Sequence, residues 1–214
     1  MKIVAVSGSL IGGGNVDTLL DHALEEYAGK PEFEVSRFGL ADMEVNPCRH
    51  CNWCLGKQEP GRYCSQDDSM TAVYPALMEA SGVIVASPVH LGRLSGTTAD
   101  FLDRLRVFVH GNITRGVMRN KVGGALAVAW FRNAGTEMTL MTLNTAFWAL
   151  NMVVVTPDLG LMGAAAFSSI DGSGKAVKED RHLVRQDTLG MASARSLAYR
   201  VGEIAGLLEA GRQD

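Results

Sequence analysis

The chain begins with a pattern that strongly restricts its fold: a buried-strand pattern, a glycine-rich turn and a helical pattern. The strand pattern runs from Lys2 to Ser7, the turn contains Gly12 to Gly14, and Asn15 stands where a helix N-cap is expected. A strand that ends in such a turn and opens a helix leaves free backbone N–H groups at the positive end of the helix dipole. The pattern therefore predicts an anion site, although an ordinary strand–helix turn has the same glycine punctuation.

The residue types in this turn favour one phosphate group. The chain has neither the lysine-containing P-loop motif nor the G-x-G-x-x-G spacing of dinucleotide-binding turns. Small hydroxyl and amide side chains without a lysine suit the single phosphate of a mononucleotide. The side chains that the turn and the start of the helix offer are those of Ser7, Ser9, Asn15 and Thr18.

Charge and hydropathy argue against two classes of function. The net charge of −3 provides no basic surface for nucleic acid. The apolar runs are far shorter than a membrane span, and Met1-Lys2 leads directly into a strand rather than into a signal peptide. We therefore expect a cytoplasmic protein without a membrane or nucleic-acid partner. The 214 residues suffice for a single domain over 1–214 with its own core.

Strand-like and helix-like segments alternate along the chain. After the first strand, strands are expected at 33–38, 82–87, 124–130 and 152–155, and the last helix at 183–208. This alternation predicts an α/β fold: a doubly wound, five-stranded parallel sheet of order 2-1-3-4-5 in a three-layer α/β/α arrangement. On the helix expected at 96–107, Arg104 falls on the polar side and is predicted to be solvated. A long loop at about 39–66 interrupts the alternation.

This topology predicts where a ligand binds. In an open parallel sheet the crevice lies at the carboxyl ends of the strands, where the winding reverses. In order 2-1-3-4-5 those are the ends of strands one and three, at 7–9 and 87–90, and the loop 130–135 lies on the same rim. A flat ring is expected to rest on 88–92 and 130–135, with a phosphate tail on 8–18.

The long loop holds every cysteine of the chain in the spacing C-x2-C-x2-C-x9-C, at Cys48, Cys51, Cys54 and Cys64. Three thiolates at steps of three are typical of ferredoxin-like cluster loops, with a distant fourth ligand. Zinc more often takes two separated C-x2-C pairs, and disulfides are rare in the cytoplasm. We favour a [4Fe–4S] cluster. Zinc and unligated thiols remain alternatives, because a nine-residue gap is long enough to keep Cys64 from ligating.

Four segments of the chain resemble known proteins. SGSLIGGGNVDTLL is similar to the GSxRxxGNT loop of the NADPH-dependent FMN reductases, and SPVHLGRLSGTTADFLDR resembles their SPVYxxxxSGxLKxFIDR segment. The run AWFRNAGTEMTLMTLNTAFWALNMVVV resembles the RxGGxExTLxxL stretch of the iron–sulfur flavoprotein branch of that family. The tail is similar to the same branch at Asp187, Gly190, Ala194, Arg195, Arg200 and Val201.

The resemblance implies a flavodoxin-like fold with FMN, NAD(P)H as a co-substrate, and a homodimer or homotetramer. It implies that Ser7, Ser9, Asn15 and Thr18 surround the phosphate. Val16 stands where the family has a hydroxyl, and His90 where tyrosine is common. Arg132 is a candidate for the charge beside the flavin pyrimidine, although a surface arginine is equally compatible. The residues expected near the ring are Pro88, Val89, His90, Leu91, Gly92, Arg132, Asn133, Ala134 and Gly135.

The resulting hypothesis is an FMN-dependent oxidoreductase of the iron–sulfur flavoprotein type. It would move electrons between NAD(P)H or a one-electron donor and a small acceptor or redox protein. One alternative is a cluster-free NAD(P)H-dependent FMN or quinone reductase, and another is a non-catalytic flavodoxin-like electron carrier. A dinucleotide dehydrogenase using Arg37 is disfavoured by the missing fingerprint. The sequence identifies neither the physiological donor nor the acceptor.

Overall fold

The computed structural model describes residues 1–175, 177 and 180–211. They form a parallel sheet with helices on both faces. The five principal parallel strands lie in the order β2-β1-β3-β5-β6. This is the spatial order that the sequence predicts, because the additional short strand β4 only shifts the numbering. The strands are β1 (Lys2–Ser7), β2 (Glu34–Gly39), β3 (Gly82–His90), β4 (Arg93–Leu94), β5 (Val122–Ala129), β6 (Val153–Val154) and β7 (Ala164–Phe167).

Six α-helices occupy the two faces of the sheet in the described part of the chain. One face carries α1 and the long α6, which pack through Leu19, Leu20, Leu197 and Val201. The opposite face carries the other helices, with Phe101 and Phe147 among its buried side chains. The helices are α1 (Asn15–Leu24), α2 (Met70–Glu79), α3 (Gly96–Arg104), α4 (Arg106–His110), α5 (Thr136–Ala149) and α6 (Thr188–Ala210). None of the described helices combines the length and the apolar character needed to cross a membrane.

The fifth strand position is divided between two short strands. β6 pairs with Val122 and Gly123 at the start of β5, and β7 pairs with residues 126–129 at its end. The sequence pattern predicts only the first of these, at 152–155. The apolar run Ala164–Phe167, which the sequence pattern does not assign to a strand, forms the second.

The start of α1 differs from the prediction by one residue. Gly14 is the N-cap, and it has no side chain with which to cap the helix. Asn15 is the first helical residue, and its Oδ1 atom accepts a hydrogen bond from the backbone N–H of Val184 at 2.9 Å. Asn15 therefore ties the start of α1 to the segment before α6 instead of capping its own helix.

Candidate functional site

The loops after β1, β3 and β5 converge on one crevice at the carboxyl ends of the strands. Its volume is about 450 Å³, within the range of ligand pockets. A segment before α6 and the residue after β7 complete its wall. The lining residues are Ser9, Leu10, Ile11, Gly14, Asn15, Val16, Pro88, Val89, His90, Val128, Trp130, Ser168 and Arg181.

The glycine-rich turn is held in shape by its own side chains. Gly13, in the left-handed region at φ 65°, donates its N–H to Oδ2 of Asp17 at 2.6 Å. Asp17 is buried and lies 2.9 Å from Nη2 of Arg37, so its charge is compensated. Ser9 closes the other side by accepting the N–H of Ile11 at 3.0 Å. These contacts fix the turn without using all of its donors.

Several backbone donors of the turn remain open. Among the described residues, no hydrogen-bond partner is present for the N–H groups of Ser9, Leu10 and Gly12. The same holds for Asn15 and Val16, the first two residues of α1. Open amides at the start of a helix, beside a crevice, are the donor set that an anion such as phosphate requires. The turn therefore fits the phosphate of a mononucleotide.

Two of the polar side chains expected at the phosphate do not line the crevice. Oγ1 of Thr18 donates to the carbonyl of Gly14 at 2.9 Å and lies 2.8 Å from Nδ1 of His182. Ser7 is fully buried at the end of β1, and its hydroxyl has no hydrogen-bond partner among the described residues. Thr18 therefore stabilises the turn through its contacts with Gly14 and His182. Neither Thr18 nor Ser7 lines the crevice.

The segment after Ser87 provides one wall of the crevice. Pro88, Val89 and His90 line it at the end of β3. Leu91 and Gly92 both have positive φ and form the tight turn to β4, with Leu91 fully exposed. A Cβ added to Gly135 would lie 2.3 Å from the carbonyl oxygen of Gly92. The two loops expected near a ring are therefore in contact.

Arg132 is directed along the rim. Its Nε donates to the carbonyl of Asp171 at 2.9 Å, and its guanidinium lies 5.4 Å from the centre of the Phe167 ring. Asn133 has a left-handed φ of 56° and leads through Ala134 into α5. The residues from Arg132 to Gly135 are not among those that line the crevice.

The crevice includes residues that the sequence analysis gives only within a range, such as Trp130 in 130–135, or not at all, such as Ser168. Trp130, which is half exposed, directly follows β5, and Ser168 directly follows β7. The position of Trp130 at a strand end was a usable signal. Ser168 could not be found because β7 was not predicted. Arg181, Leu10 and Ile11 complete this group.

The cysteine loop forms a second candidate site. Cys48, Cys51, Cys54 and Cys64 all line one small cavity. Its volume is about 20 Å³, close to that of one water molecule, so a larger group requires the side chains to turn outward. Among the described residues, no three His, Cys, Asp or Glu side chains are arranged to hold a single metal ion.

A hairpin accounts for the nine residues between Cys54 and Cys64. Glu59 and Arg62 exchange two backbone hydrogen bonds, of 3.1 and 2.9 Å, and Gly61 takes the positive φ of 84° that the turn requires. Because the hairpin loops out, the chain returns Cys64 to the cavity that the other three thiols line. The long spacing therefore does not separate the fourth cysteine from the others.

Gln58 anchors the base of this hairpin. The side chain is buried, and its Nε2 donates to the carbonyl of Tyr63 and to Oγ1 of Thr114, at 2.9 and 3.0 Å. Its Oε1 accepts the backbone N–H groups of Ile113 and Thr114, at 3.1 and 3.3 Å. One amide thus joins the cysteine loop to the segment after α4.

The thiols have different environments. The hydrogen bond with Ser65, 3.2 Å from Sγ, lowers the pKa of Cys51, whereas burial raises the pKa of Cys54. The backbone on either side of Cys51 is left-handed, at His50 and Asn52. Such conformations are uncommon outside glycine and concentrate at binding sites. As a donor set, four thiols on one loop fit an iron–sulfur cluster better than a hard cation.

The environment of Arg104 differs from the sequence prediction. It was expected to be solvated, but its side chain is 1% exposed and pairs with Asp68, whose side chain is fully buried. Nη1 of Arg104 also donates to the carbonyl of Asn46 at 2.8 Å. Asp68, besides accepting the N–H of Met70 at 3.1 Å as expected of a helix start, accepts the N–H of Asn46. The pair fixes both ends of the cysteine loop against α3.

Comparison with known proteins shows which protein family this sequence is similar to. The profile of the NADPH-dependent FMN reductase family matches residues 1–167. An iron–sulfur flavoprotein of Methanocaldococcus jannaschii is 34% identical over 209 residues, covering 98% of this chain and all of that protein. One of Methanosarcina thermophila is 28% identical over 212 residues, covering 99% of each chain.

A solved structure shares the fold at low sequence identity. The crystal structure of RosB with bound 8-demethyl-8-formylriboflavin-5′-phosphate superimposes with a TM-score of 0.65 at 16% identity, covering 100% of this chain and 87% of that one. At this identity the likeness concerns the fold alone.

Proposed function

The chain belongs to the NADPH-dependent FMN reductase family and is a flavin-dependent oxidoreductase, and from this premise we propose that it uses FMN together with one [4Fe–4S] cluster. The observation that carries the proposal is that two sites of matching chemistry exist on one chain: a crevice with open amides and a loop with four thiols. FMN, when bound, supplies hydride and electron transfer at its N5 atom.

Both the polar and the apolar residues of the crevice are suited to binding FMN. The open N–H groups at 9–16 would hold the phosphate, with Asn15 and Val16 at the start of α1. Pro88, Val89 and His90, together with Trp130, would form an apolar and aromatic wall for the ring. The loops containing Leu91, Gly92 and 132–135 would border the exposed edge of the ring. The protein's part in the reaction is to bind, to orient and to exclude water on one side.

The cysteine loop supports the cluster through its donor set. A cubane takes four soft anionic ligands, and the chain supplies four cysteines and no spare. The hairpin at 59–62 returns Cys64 to the other three, and the thiols surround a space rather than meeting at one point. The two archaeal relatives are named iron–sulfur flavoproteins, a name that combines an iron–sulfur group with a flavin.

Anaerobic purification tests both cofactors together. The protein should be yellow-brown and should release FMN, not FAD, on denaturation. It should contain about four irons and four sulfides per chain, with broad absorbance that dithionite bleaches. Recovery of a tightly bound adenine dinucleotide would refute the FMN site, and zinc or no metal would refute the cluster.

Cysteine variants separate the two cofactors. Cys51→Ser should lose the iron and keep FMN, because the turn at 8–14 does not depend on the cysteine loop. Cys64→Ser should behave in the same way. If Cys64→Ser alone retains full iron, the fourth ligand is another group, and His50, which also lines the cavity, becomes the candidate.

The small size of the thiol cavity favours a second candidate function. With about 20 Å³ between the side chains, the loop can persist without a cluster, and the protein would then be an NAD(P)H-dependent FMN or quinone reductase. Rapid NAD(P)H oxidation by protein with intact FMN and no iron would support this candidate. Slow oxidation with rapid one-electron exchange would instead support an electron carrier.

We also propose that the acceptor is a small molecule or a redox protein and that the chain forms a homodimer or homotetramer. Met138 and Trp148 on α5 are more than half exposed, as is Leu161, so an apolar surface is available for a second copy. Light scattering at micromolar concentration should give at least twice the chain mass, and a stable monomer would refute the assembly.

A further inference from the structure

The wall of the thiol cavity is positively charged. Arg49, Arg104 and Arg106 line it together with the four cysteines, and none of the described residues that line it is Asp or Glu. Arg104 is neutralised by Asp68. Among the described residues, Arg106 forms no salt bridge. The cavity therefore has an excess of positive charge on a protein whose net charge is −3.

Two of these arginines have buried donors without partners. Nε of Arg104 and Nη1 of Arg106 are both buried, and neither has a hydrogen-bond partner among the described residues. Arg104 is 99% buried as a side chain, so its unpaired N–H cannot be satisfied by bulk solvent. Buried N–H groups of charged side chains are costly when unpaired, and native structures normally provide an acceptor for them.

The positions of the two side chains are fixed by other contacts. Arg104 ends α3 and is held by both oxygens of Asp68, with Nη2 to Oδ1 at 3.0 Å. Arg106 begins α4, and its Nη2 donates to Oδ1 of Asn52, which lies between Cys51 and Cys54, at 2.9 Å. The cysteine loop is thus hydrogen-bonded to Arg106, which lines the same cavity. Because of this hydrogen bond, Arg106 would remain beside the loop if the loop moved to admit a larger group.

We propose that Arg106, supported by Nε of Arg104, donates N–H hydrogen bonds to the anionic iron–sulfur cluster and thereby raises its reduction potential. This inference rests on the proposed function, since it concerns the same cluster. Four thiolates give the cluster a negative charge, and one-electron reduction adds another. A guanidinium at the cluster favours the more negative state, because net charge and hydrogen bonds to the sulfurs set the potential.

The test is a redox titration of the complete, anaerobically purified protein, followed by the EPR signal of the reduced cluster. Arg106→Met removes the charge and the donors at similar side-chain length. Its midpoint potential should be more negative than that of the wild type, at equal iron and FMN per chain. The matched control is Arg119→Met, which removes the same charge from an exposed arginine that does not line the cavity. The control should keep the wild-type potential.

The outcomes separate this inference from the proposed function. Wild-type protein without iron or an EPR signal would refute the cluster and this inference with it. A fully loaded Arg106→Met protein with the wild-type potential would overturn the inference alone. If Arg106→Met cannot hold iron, Arg106→Gln, which is neutral but keeps N–H donors, carries the test. Its midpoint potential should still be more negative than that of the wild type, because the charge is lost, and an unchanged potential would again overturn the inference.

Discussion

The guanidinium of Arg104 and the carboxylate of Asp68 form a two-point ion pair in which neither side chain is more than 1% exposed. The two residues lie 36 positions apart, at the end of α3 and just before α2. Arg104 lines the thiol cavity. The pair fixes the chain on either side of the cysteine loop, since both members also bind the backbone of Asn46.

Removal of one partner should therefore be costly. Arg104→Met leaves a buried carboxylate without its cation, and we expect the free energy of unfolding to fall by about 3–5 kcal/mol. Urea unfolding measures this, with Asp103→Asn, an exposed neighbour on α3, as a control expected to change stability by less than about 0.5 kcal/mol. Equal stability of the two variants would contradict the structural role of the pair.

The same pair should make stability depend on pH in the acid range. Burial by itself would raise the pKa of Asp68, but the hydrogen bond and charge of Arg104 lower it overall. The folded protein then binds fewer protons than the unfolded chain, whose aspartate pKa is about 3.9. The contribution is fully present above that value and is lost as the pH falls through the lower folded pKa.

Unfolding measured between about pH 5 and pH 2 checks this sign. Stability should decrease with acidification, and part of the decrease should disappear in Asp68→Asn, which has no carboxylate to titrate. If the variant, once folded, shows the full wild-type slope, then Asp68 does not supply this component.

The phosphate site can be distinguished from the ring site by comparing FMN with riboflavin, which lacks the phosphate. Asn15→Leu removes an amide at the first residue of α1 and leaves the N–H of Val184 unpaired. We expect FMN affinity to fall by about 1.5–3 kcal/mol, the range of a hydrogen bond to a charged group. Riboflavin affinity should change little, and Glu25→Gln at the far end of α1 should affect neither. Equal losses for both ligands would place the phosphate elsewhere.

Gln58 offers a test of how the fourth cysteine is positioned. Gln58→Leu leaves the backbone N–H groups of Ile113 and Thr114 without their acceptor, which should cost about 1–3 kcal/mol. Because the base of the hairpin is released, iron per chain should decrease while FMN remains bound. Lys57→Met, at an exposed neighbouring position, is the control. Full iron content in Gln58→Leu would show that the hairpin does not depend on this anchor.

The sequence predicts those features of the fold that depend on local pattern. β1, β3 and β5 are short apolar runs that end in turn residues, so their order and the crevice at their carboxyl ends could be predicted. The partner of Arg104 could not, because helical spacing alone puts this residue on the polar side of α3, and Asp68 is distant in sequence. Asn15 has the residue type of an N-cap, but a tertiary contact with Val184 uses its side chain.

The two candidate sites show the same contrast between features that the local sequence predicts and features that depend on tertiary contacts. The clustering of four cysteines was visible from their spacing, whereas the return of Cys64 depends on the hairpin at 59–62 and on the buried amide of Gln58. Trp130 and Ser168 enter the crevice because of where β5 and β7 end. Whether a side chain such as Arg132 turns toward the crevice or along the rim depends on contacts with 167–172, which no local pattern reveals.

The division of the strand beside β5 into two short strands affects the association of one molecule with another. A long free strand at the edge of a sheet displays a row of unpaired N–H and C=O groups and can template intermolecular pairing. Here that margin consists of β6 and β7, two and four residues long and separated in the chain by 155–163. Neither offers a run long enough for strand addition, so this margin of the sheet is protected against edge-to-edge aggregation.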